Sequence, residues 1–306
     1  MNILPNGKPI SILGFGCASV WAKTAFPEAQ AAEILETASN DGINHFDTAP
    51  SYGTGESERR LARFLATRQR NDYVVSTKVG TVVLAGGNLA KDFSPAGMEA
   101  SLTQSLLRLG IEQVDILYLH GPSLSVLNDE VYEFFRREKG RGRIVYSGIN
   151  SFDQAVIECF ADTPLDALML RYNVADLSCV DVLEELRARG KIVIAGTVLA
   201  QGITRLSNFL PTSAARLWYL ARALKNDPLF VMRGIRIAKE LARFNLTEPA
   251  DALRLVASDD RVTSSLFGTS RAEHVVDNAR AARMRLPAEV HDALIASLRR
   301  QASTDR

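Results

Sequence analysis

The sequence predicts an α/β protein of the (β/α)8 or TIM barrel class, with an N-terminal β-hairpin closing the barrel bottom and a C-terminal helix and tail. Eight short apolar runs alternate with longer stretches of helical periodicity, which indicates parallel strands joined by crossover helices. An open doubly wound sheet is the alternative. Its glycine-rich dinucleotide turn is missing, because Leu13-Gly14-Phe15-Gly16 matches only the first two glycines. A barrel of 306 residues is routinely one unit, so we expect residues 1–306 to form a single domain.

The individual elements follow from turn signals and hydrophobic periodicity. Apolar residues flank Pro5-Asn6-Gly7, and the Asn-Gly pair predicts the N-terminal hairpin. Strands are predicted at residues 11–16, 43–47, 73–78, 114–120, 144–149, 167–172, 192–197 and 262–267. Helices are predicted at residues 27–40, 98–109, 175–189 and 287–300. The long connection 199–228 breaks the repeat, and long loops on a barrel mouth usually have a function.

The composition argues against several classes of partner and site. A formal net charge of +1 provides no basic face for nucleic acid or an anionic membrane. No stretch approaches the roughly 18 apolar residues of a membrane span, and the N-terminus lacks a signal-peptide pattern. Cys17, Cys159 and Cys179 lack the spacing of a disulfide framework or a zinc site. We therefore expect a cytoplasmic protein with no bound metal.

Four polar residues are predicted at the C-terminal ends of strands, where active sites of such barrels lie. Asp47 ends the second strand, Lys78 the third and His120 the fourth, while Tyr52 follows five residues after Asp47. Each has an ordinary structural explanation when taken alone: a turn cap, a solvated lysine, a core histidine or a packed tyrosine. Their joint occurrence at the ends of three successive strands predicts a catalytic site.

These residue types suit proton donation to a carbonyl. A free tyrosine has a pKa of about 10, and an adjacent ammonium such as that of Lys78 lowers it. A carboxylate beside the lysine keeps the lysine charged and oriented. A neutral histidine can donate a hydrogen bond to the substrate oxygen. Donors aimed at a developing alkoxide are what hydride addition to a C=O group requires.

The segment 41–58, DGINHFDTAPSYGTGESE, resembles the signature of the aldo-keto reductase family. Two further segments, VSTKVG at 75–80 and DILYLH at 115–120, are similar to the next two motifs of that family, and the likeness runs from Leu13 to Asn278. The resemblance implies that Tyr52 is the general acid and that the other three residues have the roles reasoned above. It also implies a nicotinamide cofactor extended across the barrel mouth.

At the nicotinamide end the likeness is weaker. Gly148-Ile149-Asn150-Ser151-Phe152 aligns with the Gly-Val-Ser-Asn-Phe of the family, with Ser and Asn exchanged. Met169 stands where the family usually has Gln, and Gly196 where it tends to stack an aromatic ring on the nicotinamide. Two usual nicotinamide contacts are thus absent.

At the phosphate end, residues 267–278 resemble the segment that follows the last strand in the family. This segment is predicted to be a loop that leads into a helix, and the N-terminus of a helix attracts anions. Ser270 and Arg271 are predicted to hold a 2′-phosphate, which favours NADPH over NADH. Gln201, Gly202 and Arg205 are predicted to cover the pyrophosphate. The complete set of predicted cofactor residues is Gly16, Cys17, Asn150, Ser151, Met169, Gly196, Leu199, Gln201, Gly268, Thr269, Ser270, Arg271, His274, Asp277 and Asn278.

The predicted function is NADPH-dependent reduction of a small aldehyde or ketone, or the reverse reaction such as sugar oxidation. One alternative is a barrel aldolase that forms a Schiff base on Lys78. Another is a non-catalytic cofactor-sensing subunit, like the potassium-channel β subunits of the family.

The substrate would be set by the connection 199–228, the loop near 82–88 and the C-terminal tail, and Trp21, Trp218 and Tyr219 are candidate pocket residues. His45 should face the barrel interior like Asp47 and needs a buried partner. The oligomeric state stays open.

Overall fold

The structure is a computed structural model that describes residues 1–204, 217, 221, 224–225, 228–248 and 250–304. Three residues considered in the sequence analysis, Arg205, Trp218 and Tyr219, lie outside the described residues, as does the side chain of Gln201.

Eight parallel strands close into a barrel, which confirms the predicted fold class. Together with the strands of two antiparallel hairpins, β1–β2 and β6–β7, the strands of the described residues are β1 (Asn2–Ile3), β2 (Pro9–Ile10), β3 (Leu13–Gly16), β4 (His45–Asp47), β5 (Val74–Val79), β6 (Thr81–Val83), β7 (Leu89–Lys91), β8 (Val114–His120), β9 (Ile144–Asn150), β10 (Ala167–Arg171), β11 (Ile192–Gly196) and β12 (Ser264–Phe267). Around the barrel the order is β10-β11-β12-β3-β4-β5-β8-β9. Each of the eight predicted strands overlaps a barrel strand.

Helices surround the barrel in the described part of the chain. They are α1 (Glu28–Asn40), α2 (Glu56–Leu65), α3 (Pro95–Leu109), α4 (Asp129–Gly140), α5 (Gln154–Cys159), α6 (Val180–Ala188), α7 (Phe230–Arg243), α8 (Asp251–Ala257), α9 (Ala272–Arg283) and α10 (Ala288–Thr304). Local sequence fixes their ends. At α3, for example, the Ser94 side chain accepts from the Gly97 amide, and Gly110 ends the helix with a φ of 65°.

The N-terminal hairpin closes the barrel bottom, as predicted. Strand β1 pairs antiparallel with β2, and the side chain of Asn2 donates to the Thr263 carbonyl at 2.9 Å. Leu4 and Ile10 are fully buried against the apolar residues that fill the barrel interior, among them Val74. The bottom of the barrel is therefore a packed apolar plug, whereas polar side chains gather at the opposite rim.

A second hairpin corrects the sequence analysis, which expected a loop near 82–88. Strand β6 pairs antiparallel with β7, and the turn between them contains Gly86 and Gly87, both with a φ of 84°. Strands of three residues are too short to show a period of two, so periodicity did not reveal them.

In the part of the chain that the structure describes, no helix is long and apolar enough to span a membrane.

Candidate active site

Asp47 and Lys78 form a buried ion pair at the C-terminal rim of the barrel. Strands β4 and β5 are neighbours in which Asp47 is opposite Ser76, and this register brings Lys78 beside the end of β4. The Lys78 Nζ donates to Asp47 Oδ2 at 2.6 Å and to the Thr48 carbonyl at 2.9 Å. Burial opposes the charge of Lys78, but Asp47 and Tyr52 outweigh burial and raise the pKa of the amine above its usual value. The geometry therefore holds Lys78 as an ammonium ion.

Tyr52 lies over this ammonium ion. The Lys78 Nζ is 4.9 Å from the centroid of the Tyr52 ring. The loop is fixed by Gly53, whose φ is 60° and whose Cβ, if present, would be 1.9 Å from the Ala22 carbonyl oxygen. Only glycine permits this approach, so the tyrosine loop packs directly on the loop after β3.

The pKa of Tyr52 moves in the direction opposite to the one expected from its neighbour. Burial raises it and is the largest influence, the Lys78 ammonium lowers it, and the Asp47 carboxylate raises it again. The expectation of a lowered pKa was therefore wrong, although the effect of Lys78 has the expected sign. Tyr52 consequently retains its proton at neutral pH and is available as a proton donor.

His120 completes the group at the end of β8. Its ring centroid is 6.0 Å from that of Tyr52, with the two rings nearly perpendicular. Burial, helped by the charges of Lys78 and Lys91, lowers the pKa of His120 to about 3, so the imidazole is neutral. Its buried Nδ1 has no hydrogen-bond partner among the described residues. A neutral imidazole with an unused ring nitrogen suits a hydrogen bond to a bound molecule.

The second hairpin places a further cation beside this group, which sequence reasoning missed. Lys91 at the end of β7 donates to the His120 carbonyl oxygen, and to Thr81 Oγ1 at 2.9 Å. Its only signal in the sequence was a lysine after Gly86-Gly87, which does not reveal its distance from the site.

The strands β8, β9 and β10 place two of the predicted nicotinamide residues in a row beside His120. Asn150 is opposite His120 in the β8–β9 register and opposite Met169 in the β9–β10 register. The Ser151 amide donates to the Met169 carbonyl at 3.0 Å, while the Ser151 hydroxyl accepts from the Asp153 amide. The side-chain amide of Asn150, by contrast, makes no hydrogen bond among the described residues.

Met169 and Gly196 have structural explanations at these positions. Met169 is buried in the cluster that fills the barrel interior. Gly196 ends β11, and a Cβ there would be 3.3 Å from the Leu170 carbonyl oxygen and 4.0 Å from the Phe152 ring. A larger residue at 196 would have to share space with Phe152, which is half exposed at the rim.

A cavity of about 730 Å³ lies beyond β12 and gathers much of the predicted phosphate end. The predicted residues that line it are Leu199, Gly268, Thr269, His274, Asp277 and Asn278, and Gly202 lines it with them. Asn278 is buried, and its side-chain Nδ2 has no hydrogen-bond partner among the described residues. An unpaired buried donor in a cavity of this volume fits an absent ligand.

Ser270 and Arg271 are not part of that lining. Arg271 is exposed and pairs with Glu273 at 3.0 Å, and the Ser270 carbonyl accepts from the side chain of Gln30. The Arg271 amide donates to Thr269 Oγ1 at 3.2 Å, so the loop itself is tied to the cavity wall.

Two backbone segments complete the rim between the cavity and the four residues Asp47, Tyr52, Lys78 and His120. A Cβ on Gly268 would be 3.2 Å from the Gly16 carbonyl oxygen, so β3 and the loop after β12 approach closely there. Cys17 follows, fully buried, with its amide donating to the Asp47 carbonyl at 2.8 Å. These residues position backbone at the rim rather than offering a reactive side chain.

Comparison with known proteins shows which proteins this chain resembles. A sequence model described as the aldo/keto reductase family matches residues 12–299. The D-threo-aldose 1-dehydrogenase of Pseudomonas sp is 29% identical over 309 residues, which covers 92% of each chain. The L-glyceraldehyde 3-phosphate reductase of Escherichia coli is 31% identical over 274 residues, covering 83% of this chain and 79% of the relative.

Two further comparisons bear on cofactor and fold. The NADH-specific methylglyoxal reductase of Escherichia coli is 29% identical and covers 83% of this chain and 82% of its own. The solved structure of the glycerol dehydrogenase from Gluconobacter oxydans superposes with a TM-score of 0.79 over 98% of this chain and 95% of that one. At 23% identity this last similarity shows the fold alone.

Proposed function

Since the chain belongs to the aldo/keto reductase family, we propose that it transfers a hydride reversibly between NADPH and a small aldehyde, ketone or sugar, with Tyr52 as the general acid. The family makes the chain an NAD(P)H-dependent oxidoreductase. The observation that supports the role of Tyr52 is its place over the buried Lys78–Asp47 pair, next to the neutral His120.

In this proposal the protein handles the proton while the nicotinamide supplies the hydride. The His120 ring donates a hydrogen bond that orients the substrate oxygen, and Tyr52 gives its phenolic proton to that oxygen as it becomes an alkoxide. The phenolate left on Tyr52 is stabilised by the Lys78 ammonium, and Asp47 compensates the charge of Lys78. Solvent then returns a proton to Tyr52. In oxidation the same phenolate accepts the alcohol proton.

At the cofactor site, Asn150 would bond the carboxamide, and Asn278, with the cavity wall, would hold the adenosine end. Two of the buried side-chain atoms that have no hydrogen-bond partner among the described residues, His120 Nδ1 and Asn278 Nδ2, lie at the substrate end and the adenosine end of this arrangement. A cofactor extended between the two is consistent with both.

The aldolase alternative is not favoured. Schiff-base formation requires a neutral amine, whereas Asp47 and Tyr52 hold Lys78 in its charged form.

The test is a panel of aldehydes, ketones and aldoses assayed by NADPH oxidation, and of the corresponding alcohols and sugars assayed by NADP⁺ reduction. The names of the relatives support sugars and hydroxyaldehydes as the first compounds to try. We expect turnover with at least one of them. If no compound reacts while NADPH binds tightly, the cofactor-sensing alternative replaces the reductase.

The two directions should differ in their pH dependence. Because the pKa of Tyr52 is raised above its usual 10, alcohol oxidation should increase roughly tenfold per pH unit from neutrality to about pH 9, as the phenolate fraction grows. Reduction uses the phenol, which is fully present below that pKa. His120 should add no acid limb above about pH 5, because its pKa is about 3. Plots of kcat/KM against pH measure both, and a reduction limb near 6.5 would reassign the charge state of His120.

Cofactor preference is tested at Arg271. If its guanidinium binds a 2′-phosphate, Arg271→Ala should weaken NADPH about tenfold and NADH less than twofold, as expected for one charge-assisted contact. Titration of the reduced cofactors by fluorescence gives both dissociation constants. Arg283→Ala is the matched control, since it removes another exposed arginine, at the end of α9, that pairs with Asp41. An equal loss for both cofactors would reject the assignment.

A further inference from the structure

A continuous hydrogen-bonded chain runs through the barrel interior and ends on Asp47. Ser264 Oγ is 3.0 Å from His45 Nδ1, and His45 Nε2 is 3.2 Å from Ser76 Oγ. Ser76 Oγ in turn donates to Asp47 Oδ1 at 2.7 Å. The chain thus reaches the carboxylate oxygen that Lys78 does not use, since Lys78 bonds Oδ2. Its members lie on β12, β4 and β5, which are consecutive around the barrel apart from β3 between β12 and β4.

The direction of every proton in this chain is determined. A carboxylate only accepts, so the single hydroxyl proton of Ser76 is used on Asp47. Ser76 must then accept from His45, which places the imidazole proton on Nε2 and leaves Nδ1 as an acceptor for the Ser264 hydroxyl. Burial, with the charge of Lys78, lowers the pKa of His45 to about 3, so the ring stays neutral with one proton.

The polar side chains of this hydrogen-bonded chain are buried, and the barrel interior is shaped to hold them. His45, Ser76 and Ser264 are fully buried, in a barrel interior otherwise filled by apolar side chains. Burying a polar group is unfavourable unless it is hydrogen-bonded, and here each of the three is bonded. Gly14 on β3 leaves the room that His45 occupies, because a Cβ there would lie 2.7 Å from His45 Nδ1. Four residues from four strands are thus matched to one another.

We propose that His45 and Ser76 are positioning residues for the reaction, acting through Asp47 on Lys78 and Tyr52; the inference rests on the proposed function. By donating to Oδ1, Ser76 fixes the carboxylate so that Oδ2 faces Lys78, and it withdraws part of the negative charge of Asp47. The His45 tautomer holds the Ser76 hydroxyl in the donating orientation. Neither residue touches the reacting atoms.

The charge state of Tyr52 is the quantity that this chain controls. The titratable and charged groups that surround Asp47 and Tyr52 are Lys78 on β5, His45 on β4, Tyr118 and His120 on β8, and Cys17 after β3. Ser76 is not itself charged and acts on Tyr52 only through Asp47, whose carboxylate raises the pKa of Tyr52. Removing the Ser76 donor leaves that carboxylate more negative, so the pKa of Tyr52 should rise further.

The test compares Ser76→Ala with two matched variants of the full-length protein. Ser76→Thr keeps the hydroxyl. Ser265→Ala removes another fully buried barrel serine, whose hydroxyl has no hydrogen-bond partner among the described residues. For Ser76→Ala we expect the pH limb of alcohol oxidation to move about one pH unit higher. As a consequence, the kcat of alcohol oxidation near neutrality should fall about tenfold. The NADPH dissociation constant should not change, Ser265→Ala should behave as wild type, and Ser76→Thr should restore the wild-type pH profile.

Two measurements do not depend on turnover and keep the proposal decidable if the panel finds no substrate. Long-range proton–nitrogen correlation spectra of the four histidines should show His45 with its proton on Nε2. Phenolate absorbance, taken as the difference from matched Tyr52→Phe proteins, should show a higher pKa for Tyr52 in Ser76→Ala. A His45 proton on Nδ1, an unchanged Tyr52 pKa, or equal effects of Ser76→Ala and Ser265→Ala would overturn the proposal. Absence of turnover in the wild type would instead overturn only the proposed function.

Discussion

Replacing Tyr52 with phenylalanine should reduce turnover in both directions by at least about 10³-fold, within the range expected for losing a positioned general acid. The substitution keeps the ring that lies over the Lys78 ammonium ion and removes only the proton-bearing oxygen. Packing at the site should therefore be preserved, and the NADPH dissociation constant should change less than about twofold. Steady-state kinetics with the best panel substrate and a fluorescence titration with NADPH measure the two quantities.

Tyr118→Phe provides the matched control for that result. Tyr118 is a fully buried tyrosine of β8 in the same barrel interior, and its hydroxyl has no hydrogen-bond partner among the described residues. Removing this hydroxyl should leave turnover near the wild-type rate. Strong residual activity in Tyr52→Phe, or an equal loss in both variants, would show that another group donates the proton.

The barrel and the strand-end positions were predictable because both depend on local periodicity. Parallel strands buried on both faces appear as short apolar runs, and a polar residue that ends such a run is conspicuous. Asp47 and His120 each end a strand, and Lys78 lies one residue before the end of β5. Parallel strands place their C-terminal ends at one rim, so proximity of the three side chains followed from topology.

The properties that depend on several strands at once could not be predicted. The raised pKa of Tyr52 is the balance of burial against Lys78, and sequence gives the partner but not the burial. The two hydrogen-bond partners of His45 are Ser76 on β5 and Ser264 on β12. These two serines are 188 residues apart in the sequence. Likewise, the pairing of Arg271 with Glu273 depends on the conformation of an exposed loop.

Lys78→Met should have the second large effect, on stability as well as on activity. The ammonium ion is the charge partner of a buried Asp47, so its removal leaves a buried carboxylate with Ser76 as its remaining side-chain donor among the described residues. Breaking such a pair costs about 3–5 kcal/mol in the free energy of unfolding. Turnover should fall at least about 100-fold, because the phenolate of Tyr52 loses its counter-charge. Denaturant unfolding and steady-state kinetics measure the two losses.

The double variant Asp47→Asn/Lys78→Met separates these two consequences. It removes the unpaired carboxylate, and a neutral pair of similar volume is often no less stable than a buried ion pair. We therefore expect most of the lost stability to return while turnover stays at the level of Lys78→Met. If Lys78→Met alone were as stable as the wild type, the result would contradict a buried charge pair at this position. Recovery of turnover in the double variant would show that catalysis needs a folded rim but not the charge of Lys78, and stabilisation of the Tyr52 phenolate would then have to come from another group.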